Sequence, residues 1–158
     1  MKLDSTDRKI LAILQENARI TTKELASQLH LSNTPVYERV KKLEKAGIIE
    51  KYSAKLNAEK IGRNMTSFIM VSLKNHTKEI VENFQKDAMS LPEVMEFYYI
   101  SGNYDALLKV MVADMSEFKV FLEEKLASVR NISQFHSIFV ISGDKKDGFE
   151  INEVEEEE

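Results

Sequence analysis

Tyr37, Glu38, Arg39, Lys41, Lys42 and Lys45 fall on one side of a stretch whose other side is an apolar seam of Val36, Val40 and Leu43 at helical spacing. Ser32, Asn33, Thr34 and Pro35 lead into it. Short polar side chains at such an entry can hydrogen-bond base edges or phosphates, and residues at the start of such a helix point into a groove. Arg39 is the best candidate for a bidentate contact to guanine or phosphate, while Lys41, Lys42 and Lys45 suit phosphate neutralisation. Glu38 could accept from cytosine N4 or pair with Lys42 four residues on. Pro35 fits a first helical turn, Ser32 or Thr34 can cap it, and Gly47 stops it. A basic helix of this length entered by a tight polar turn is what a major groove accepts; the alternative is an ordinary solvated basic face.

A second constellation is Ser101-Gly102-Asn103-Tyr104-Asp105. Gly102 permits positive φ, which exposes backbone N–H groups to a carboxylate, and Asp105 could take an ammonium, so that the two ends of an amino acid meet opposite partners. The alternative is a hairpin turn in which Asp105 caps its own backbone. Enzymatic chemistry finds little support. Cysteine is absent, and His30, His76 and His136 lie at no metal-ligand spacing. Arg130 is the only arginine after residue 63, and no nucleophile–base pair or phosphate-cradling loop is visible. We expect no enzyme, no cofactor and no metal.

The elements that position these residues follow from capping and period. Asp4 to Asn17 predicts a helix with Ile10, Leu11 and Leu14 inside, and Thr21 to Glu24 is a capping box opening a second helix. With the segment after Ser32 they make a trihelical core. Ile48 to Leu56 alternates and predicts an extended connecting strand. Thr66–Lys74, Val94–Ile100, Asp105–Ala113 and Ile132–Ser142 read as strands, Thr77–Ser90 and Ser116–Val129 as helices. The order βαββαβ is the ferredoxin-like plan. The expected division is a helix-turn-helix domain over 1–50, a linking strand or hinge over 51–64, an αβ-sandwich over 65–145, and an acidic disordered tail over 146–158. Phe97, Tyr98 and Tyr99 look like sheet and interface surface rather than a base-stacking platform.

The net charge of −4 conceals an asymmetry. Residues 1–63 hold 13 Lys and Arg against 8 Asp and Glu, a net of +5, whereas residues 64–158 hold 9 against 18, a net of −9. Only the front half suits a polyanion. No apolar run approaches the ~20 residues of a membrane span, and Met1-Lys2-Leu3-Asp4 runs directly into a polar helix, so a cytoplasmic, nucleoid-associated protein is expected.

In motif content the chain resembles the Lrp/AsnC, or feast/famine, family of prokaryotic transcription regulators over roughly residues 3–145. The resemblance rests on Leu3-Asp4 with Asp7, Ala18-Arg19-Ile20, Glu24-Leu25-Ala26 and Leu31-Ser32. It continues through Arg39-Val40-Lys41-Lys42-Leu43-Glu44, Gly47-Ile48-Ile49, Tyr52 and Ser101 through Leu108. It implies an α+β chain: an N-terminal (winged) helix-turn-helix domain that binds double-stranded DNA, and a C-terminal ferredoxin-like effector domain of the RAM, or ACT-like, type. It further implies homodimers paired through their sheets, assembling to octamers or other rings, with an amino-acid effector between dimers. The 101–105 turn would line that pocket, and Ser137 matches a position that often carries a small hydroxyl. The alternative function is a ligand-independent architectural DNA-binding protein.

Overall fold

The computed structural model describes residues 2–144, 146 and 148–151, and the chain divides into two compact units. The first comprises residues 1–55 together with 144–158; the second comprises residues 56–143.

In the first unit, α1 (Ser5–Glu16) is opened by a reciprocal capping box. Asp4 Oδ1 accepts from the Asp7 N–H at 2.8 Å, and Asp7 Oδ2 accepts from the Asp4 N–H at 3.2 Å. The predicted box at Thr21 and Glu24 opens α2 (Thr22–Gln28). That helix closes in a Schellman motif, with His30 N–H donating to Ser27 O and Leu31 N–H to Ala26 O. The motif places His30 at φ 54°, a region that side chains other than glycine rarely adopt. The third helix, α3 (Asn33–Lys45), ends in the same motif, but with Gly47 at φ 71°. Ile10, Leu11, Leu25, Ala26, Val36 and Leu43 bury together where the three helices meet.

The expected strand over Ile48–Leu56 does not form. The N–H groups of Ile48 and Ile49 turn back to Leu43 O to close α3, and residues 50–57 have no partner strand among the described residues. A single extended segment with no ladder has nothing to satisfy its backbone as a strand.

The second unit contains β1 (Met65–Leu73), α4 (Lys78–Met89), β2 (Val94–Tyr99), β3 (Ala106–Val112), α5 (Met115–Val120) and β4 (Ile132–Phe139). The strands form one antiparallel sheet in the order β2-β3-β1-β4, the ferredoxin-like arrangement expected from the sequence. A 3₁₀ turn at Glu59–Ile61 precedes β1 and ends at Gly62, φ 80°. After α5 the predicted helix continues, but as a π turn at Phe121–Lys125 and a 3₁₀ turn at Leu126–Ser128. These irregular turns keep Phe118, Phe121 and Leu126 directed at the sheet.

Strand alternation divides the sheet into two faces. Ile69, Val71 and Leu73 of β1 and Ala106, Leu108, Val110 and Val112 of β3 bury against Phe84 and Ala88 of α4 and against Phe118 and Phe121. The alternate residues Phe68, Met70, Leu107 and Met111 lie on the opposite face and are only half-buried in the single chain. Ile138 and Tyr98 join them by register.

Candidate DNA-reading helix and effector turn

The entry to α3 is open. Ser32 occupies the N-cap position with extended backbone, yet its side chain makes no cap hydrogen bond, unlike those of Asp4 and Thr21. Thr34 and Pro35 lie inside the first turn, so neither Ser32 nor Thr34 caps the helix as expected. The first N–H groups of α3 and the hydroxyl of Ser32 are therefore available to an outside acceptor such as a phosphate. Ser32, Asn33, Thr34, Pro35, Tyr37, Glu38, Lys41 and Lys42 are all exposed, while Val36 and Leu43 are buried. Seven of the eight DNA-facing candidates before Lys42, all but Arg39, thus lie on one outward surface.

Arg39 goes elsewhere. Its guanidinium is drawn back to the first turn of α1, where Nη1 donates to Asp4 Oδ2 at 2.6 Å and to Asp7 Oδ1 at 2.7 Å. Asp7 is nearly buried, so the pair supplies the counter-charge that its carboxylate needs. The two hydrogen bonds, that to Asp7 first, raise the guanidinium's pKa above its ordinary value. In this arrangement Arg39, the expected base contact, clamps α1 to α3.

The lysines divide in a similar way. Lys41 Nζ donates to Glu44 Oε2 at 2.8 Å and lies 5.8 Å from the centre of the Tyr37 ring. The Glu44 bond holds Lys41 above its ordinary pKa, and Lys41 in turn holds Glu44 below its own. Tyr52 Oη donates to the other Glu44 oxygen at 3.1 Å, and burial, then Glu44, push its phenol upward. No ion pair joins Glu38 to Lys42 among the described residues, so the i,i+4 pair is absent and Glu38 keeps its acceptor oxygens outward.

In the second unit the 101–105 turn is built around Asp105. Asp105 N–H donates to Val71 O and Ile100 N–H donates to Asp105 O, each at 2.9 Å. Oδ2 of Asp105 accepts from the Leu73 N–H at 2.7 Å, and Oδ1 lies 2.9 Å from His76 Nδ1. The carboxylate thus ties the turn to the end of β1, which is the backbone-capping alternative in a longer-range form. His76 is the partner that sequence reading missed: at 29 residues from Asp105 it carries no local signal. Gly102 sits at φ 121°, and a Cβ there would meet nothing within 4 Å, so backbone conformation rather than space requires glycine. The N–H groups of Gly102, Asn103 and Tyr104 donate to no other described residue. Ser72 Oγ reaches Asn103 O at 3.5 Å.

Ser137 lies opposite Ile69, whereas Ala106, next to the turn, lies opposite Val71. It is therefore two strands across and about three residues along from Asp105, not gathered into the turn. Its Oγ is enclosed without a hydrogen-bond partner. Phe97 is not sheet surface as expected but packs against the core, its ring centre 5.9 Å from that of the buried Phe84, whereas Tyr98 and Tyr99 are exposed and Tyr98 Oη donates to Glu96 at 2.6 Å. Among the described residues no His, Asp and Glu cluster has the makings of a metal site, and no helix is long and apolar enough to cross a membrane.

Comparison with known proteins bears on both surfaces. Residues 3–50 match a family described as winged helix-turn-helix DNA-binding, and residues 66–148 match the Lrp/AsnC ligand binding domain. The DNA-binding transcriptional activator DecR of Escherichia coli is 36% identical over 139 residues, covering 88% of this chain and 91% of that protein. The leucine-responsive regulatory protein of Rhizobium meliloti is 36% identical over 141 residues, covering 89% and 90%. Among solved structures, a transcriptional regulator from Neisseria meningitidis in complex with L-methionine superposes with a TM-score of 0.86 at 36% identity, covering 92% of this chain and 94% of that one. AsnC of E. coli superposes at 0.87 with 28% identity, covering 96% and 100%.

Proposed function

The chain belongs to the Lrp/AsnC family of DNA-binding transcriptional regulators, and from that premise we propose how its two surfaces divide the work. Its relatives regulate transcription rather than catalyse reactions, and it is not an enzyme. The N-terminal half of α3 enters the major groove of double-stranded DNA. Asn33, Thr34, Tyr37 and Glu38 meet base edges, while Ser32, the open helix entry, Lys41 and Lys42 hold phosphates. The observation that carries this reading is the uncapped, wholly exposed entry from Ser32 to Pro35 beside an outward Glu38.

An amino acid acts as effector at the 101–105 turn. Its carboxylate takes the unspent N–H groups of Gly102, Asn103 and Tyr104, and its ammonium shares Asp105 Oδ1. Support comes from the relative solved with L-methionine. Ser137 contributes its unpartnered hydroxyl from β4, two strands across the sheet, rather than from the turn itself. The apolar face of half-buried Phe68, Met70, Leu107 and Met111 with exposed Ile138 pairs with a second copy, and dimers assemble further, to an octamer in the fullest form. Effector binding alters DNA occupancy through a difference in affinity between two assemblies.

A second reading, a ligand-independent DNA organiser, is favoured by one observation: both oxygens of Asp105 already have partners within the chain. Calorimetric titration with the free amino acids, on the wild type and on Asp105→Ala, separates the two. Binding to the wild type that is lost in Asp105→Ala supports the effector turn. Undiminished binding to the variant removes Asp105 from it, and no binding to either favours the organiser.

A further inference from the structure

Asp105 is held by two partners of different kinds. Its Oδ2 accepts from the Leu73 N–H at 2.7 Å, a backbone group fixed by the β1 ladder. Its Oδ1 is met by His76 Nδ1 at 2.9 Å, and this second partner is a side chain 58% exposed, against 20% for Asp105. The backbone just before His76 is pinned from the start of β4. Lys74 N–H donates to Asn131 O at 2.8 Å, and Asn131 Nδ2 donates to Asn75 O at 3.0 Å. The imidazole can therefore turn out into solvent by a change of rotamer, without moving the strand or the 101–105 turn. One oxygen of Asp105 is committed to the fold, and the other is lent to an exchangeable group.

Histidine is the side chain whose charge changes between about pH 5 and pH 8. Protonated, it is a cation on the Asp105 carboxylate; neutral, it offers Oδ1 a single weaker hydrogen bond. The charged and titratable groups on the elements that meet here are Asp105 and Tyr104 of the turn, Lys74 after β1, Lys78 and Glu79 at the start of α4, and Arg130 before β4. Among the described residues only Asp105 comes within ion-pair distance of His76, while Lys78 lies 3.7 Å from Glu82. An ammonium hydrogen-bonded to Oδ1 at about 2.8 Å would stand no more than about 6 Å from Nδ1. Two cations that close lie inside the ~8–10 Å screening length of ordinary salt, so they repel each other while competing for one oxygen. Neutral imidazole exerts no such repulsion and can yield its place.

We propose that His76 is a proton-linked competitor for the ammonium of the effector. As imidazolium it occupies Asp105 Oδ1 and excludes an amino acid; as neutral imidazole it gives that oxygen up. The inference rests on the effector reading above and adds a regulating residue to that site. Because protonation of His76 and binding of the amino acid oppose each other, binding releases a proton by reciprocity. The same concentration of amino acid then fills fewer sites as the pH falls.

The test is calorimetric titration of the full chain with the free L-amino acids, L-methionine first, and then with the tightest binder in steps from about pH 5.5 to about pH 8. The wild type and His76→Gln are compared, each in two buffers of different ionisation enthalpy, so that released protons are counted directly. Over this range the amino acid keeps both of its charges. Wild-type affinity should rise by about tenfold from the acid to the neutral end, with a fraction of a proton released per ligand in the middle of the range. His76→Gln keeps a neutral polar side chain at this exposed position. It should bind with less than about twofold change across the range and release no proton. Parallel profiles in the two proteins would overturn the proposal while leaving the effector turn standing. Wild-type binding that tightens in acid would do the same, since His76 would then help to hold the ligand. Absence of binding by every amino acid at every pH would overturn the effector reading and the proposal together.

Discussion

Replacing Arg39 by alanine tests whether this side chain clamps helices or reads bases. In the structure its guanidinium donates to Asp4 and Asp7, and Asp7 is only 6% exposed. Without Arg39 the Asp7 carboxylate keeps a single hydrogen bond, the Asp4 N–H at 3.2 Å on its other oxygen. A hydrogen bond to a charged group is worth ~1.5–3 kcal/mol, and the partial exposure of Arg39 draws the figure to the lower part of that range. The exposed contact with Asp4 is assigned nothing. Arg39→Ala should therefore cost the helical unit about 2 kcal/mol, or a fall of about 1–2 M in the urea midpoint at the slope of a small unit. Asp7→Asn, which keeps the shape and removes the charge, should cost a similar amount. The double variant should fall short of the sum by about 1–2 kcal/mol, because the two residues act as one pair. Urea unfolding followed by circular dichroism reads all three. An Arg39→Ala protein with an unchanged midpoint, whose loss of affinity is confined to one DNA sequence, would refute the clamp and restore Arg39 as a base contact.

Four further outcomes follow from the same geometry. His30→Gly should raise stability by about 0.5–1 kcal/mol in thermal unfolding, because glycine takes the positive φ at the end of α2 without penalty. Gly47→Val, at the equivalent place after α3, should lower it by about 1–2 kcal/mol although nothing obstructs the side chain. Asp4 is held below the ordinary carboxylate range first by the Asp7 N–H and then by Arg39, and Glu24 by the Thr21 N–H and hydroxyl. Lowered carboxyls stabilise fully above their ordinary values and lose that as pH falls through the lowered ones, so the melting temperature should drop below about pH 4, and Asp4→Asn with Glu24→Gln should flatten the drop. Lys42→Ala should weaken binding to all duplexes alike and reduce the slope of log affinity against log salt by about 1.

Local chemistry was legible in the sequence where the cause is local. The Thr21–Glu24 box, the stop at Gly47, the helix after Ser32 and the βαββαβ order each rest on residues a few positions apart, and each is present. Long-range capture was not legible. Arg39 meets Asp4 and Asp7 from 35 and 32 positions away, and periodicity assigns it to the outward face beside Glu38. The strand predicted over Ile48–Leu56 failed because alternation reports which side chains are apolar, not whether a partner ladder exists. At Asp105 it is the backbone-capping alternative that the contacts resemble, but its N–H partner is Leu73 rather than a neighbour, and spacing carries no sign of that. Part of the disordered tail expected over 146–158 is instead docked: Phe149 on Gln15 and Ile151 on the helical core. Lys145, Asp147 and residues 152–158 lie outside the described residues.

The central claim is that the outward entry of α3 reads DNA sequence. Selection of binding sites from a random duplex library, on the wild type and on the triple variant Asn33→Ala, Thr34→Ala, Glu38→Ala, addresses it most directly. The account predicts that the wild type enriches a defined, pseudo-palindromic motif. The variant, with Lys41, Lys42 and the helical core untouched, should still bind DNA but lose that motif. Recovery of the same motif by both proteins would contradict the account.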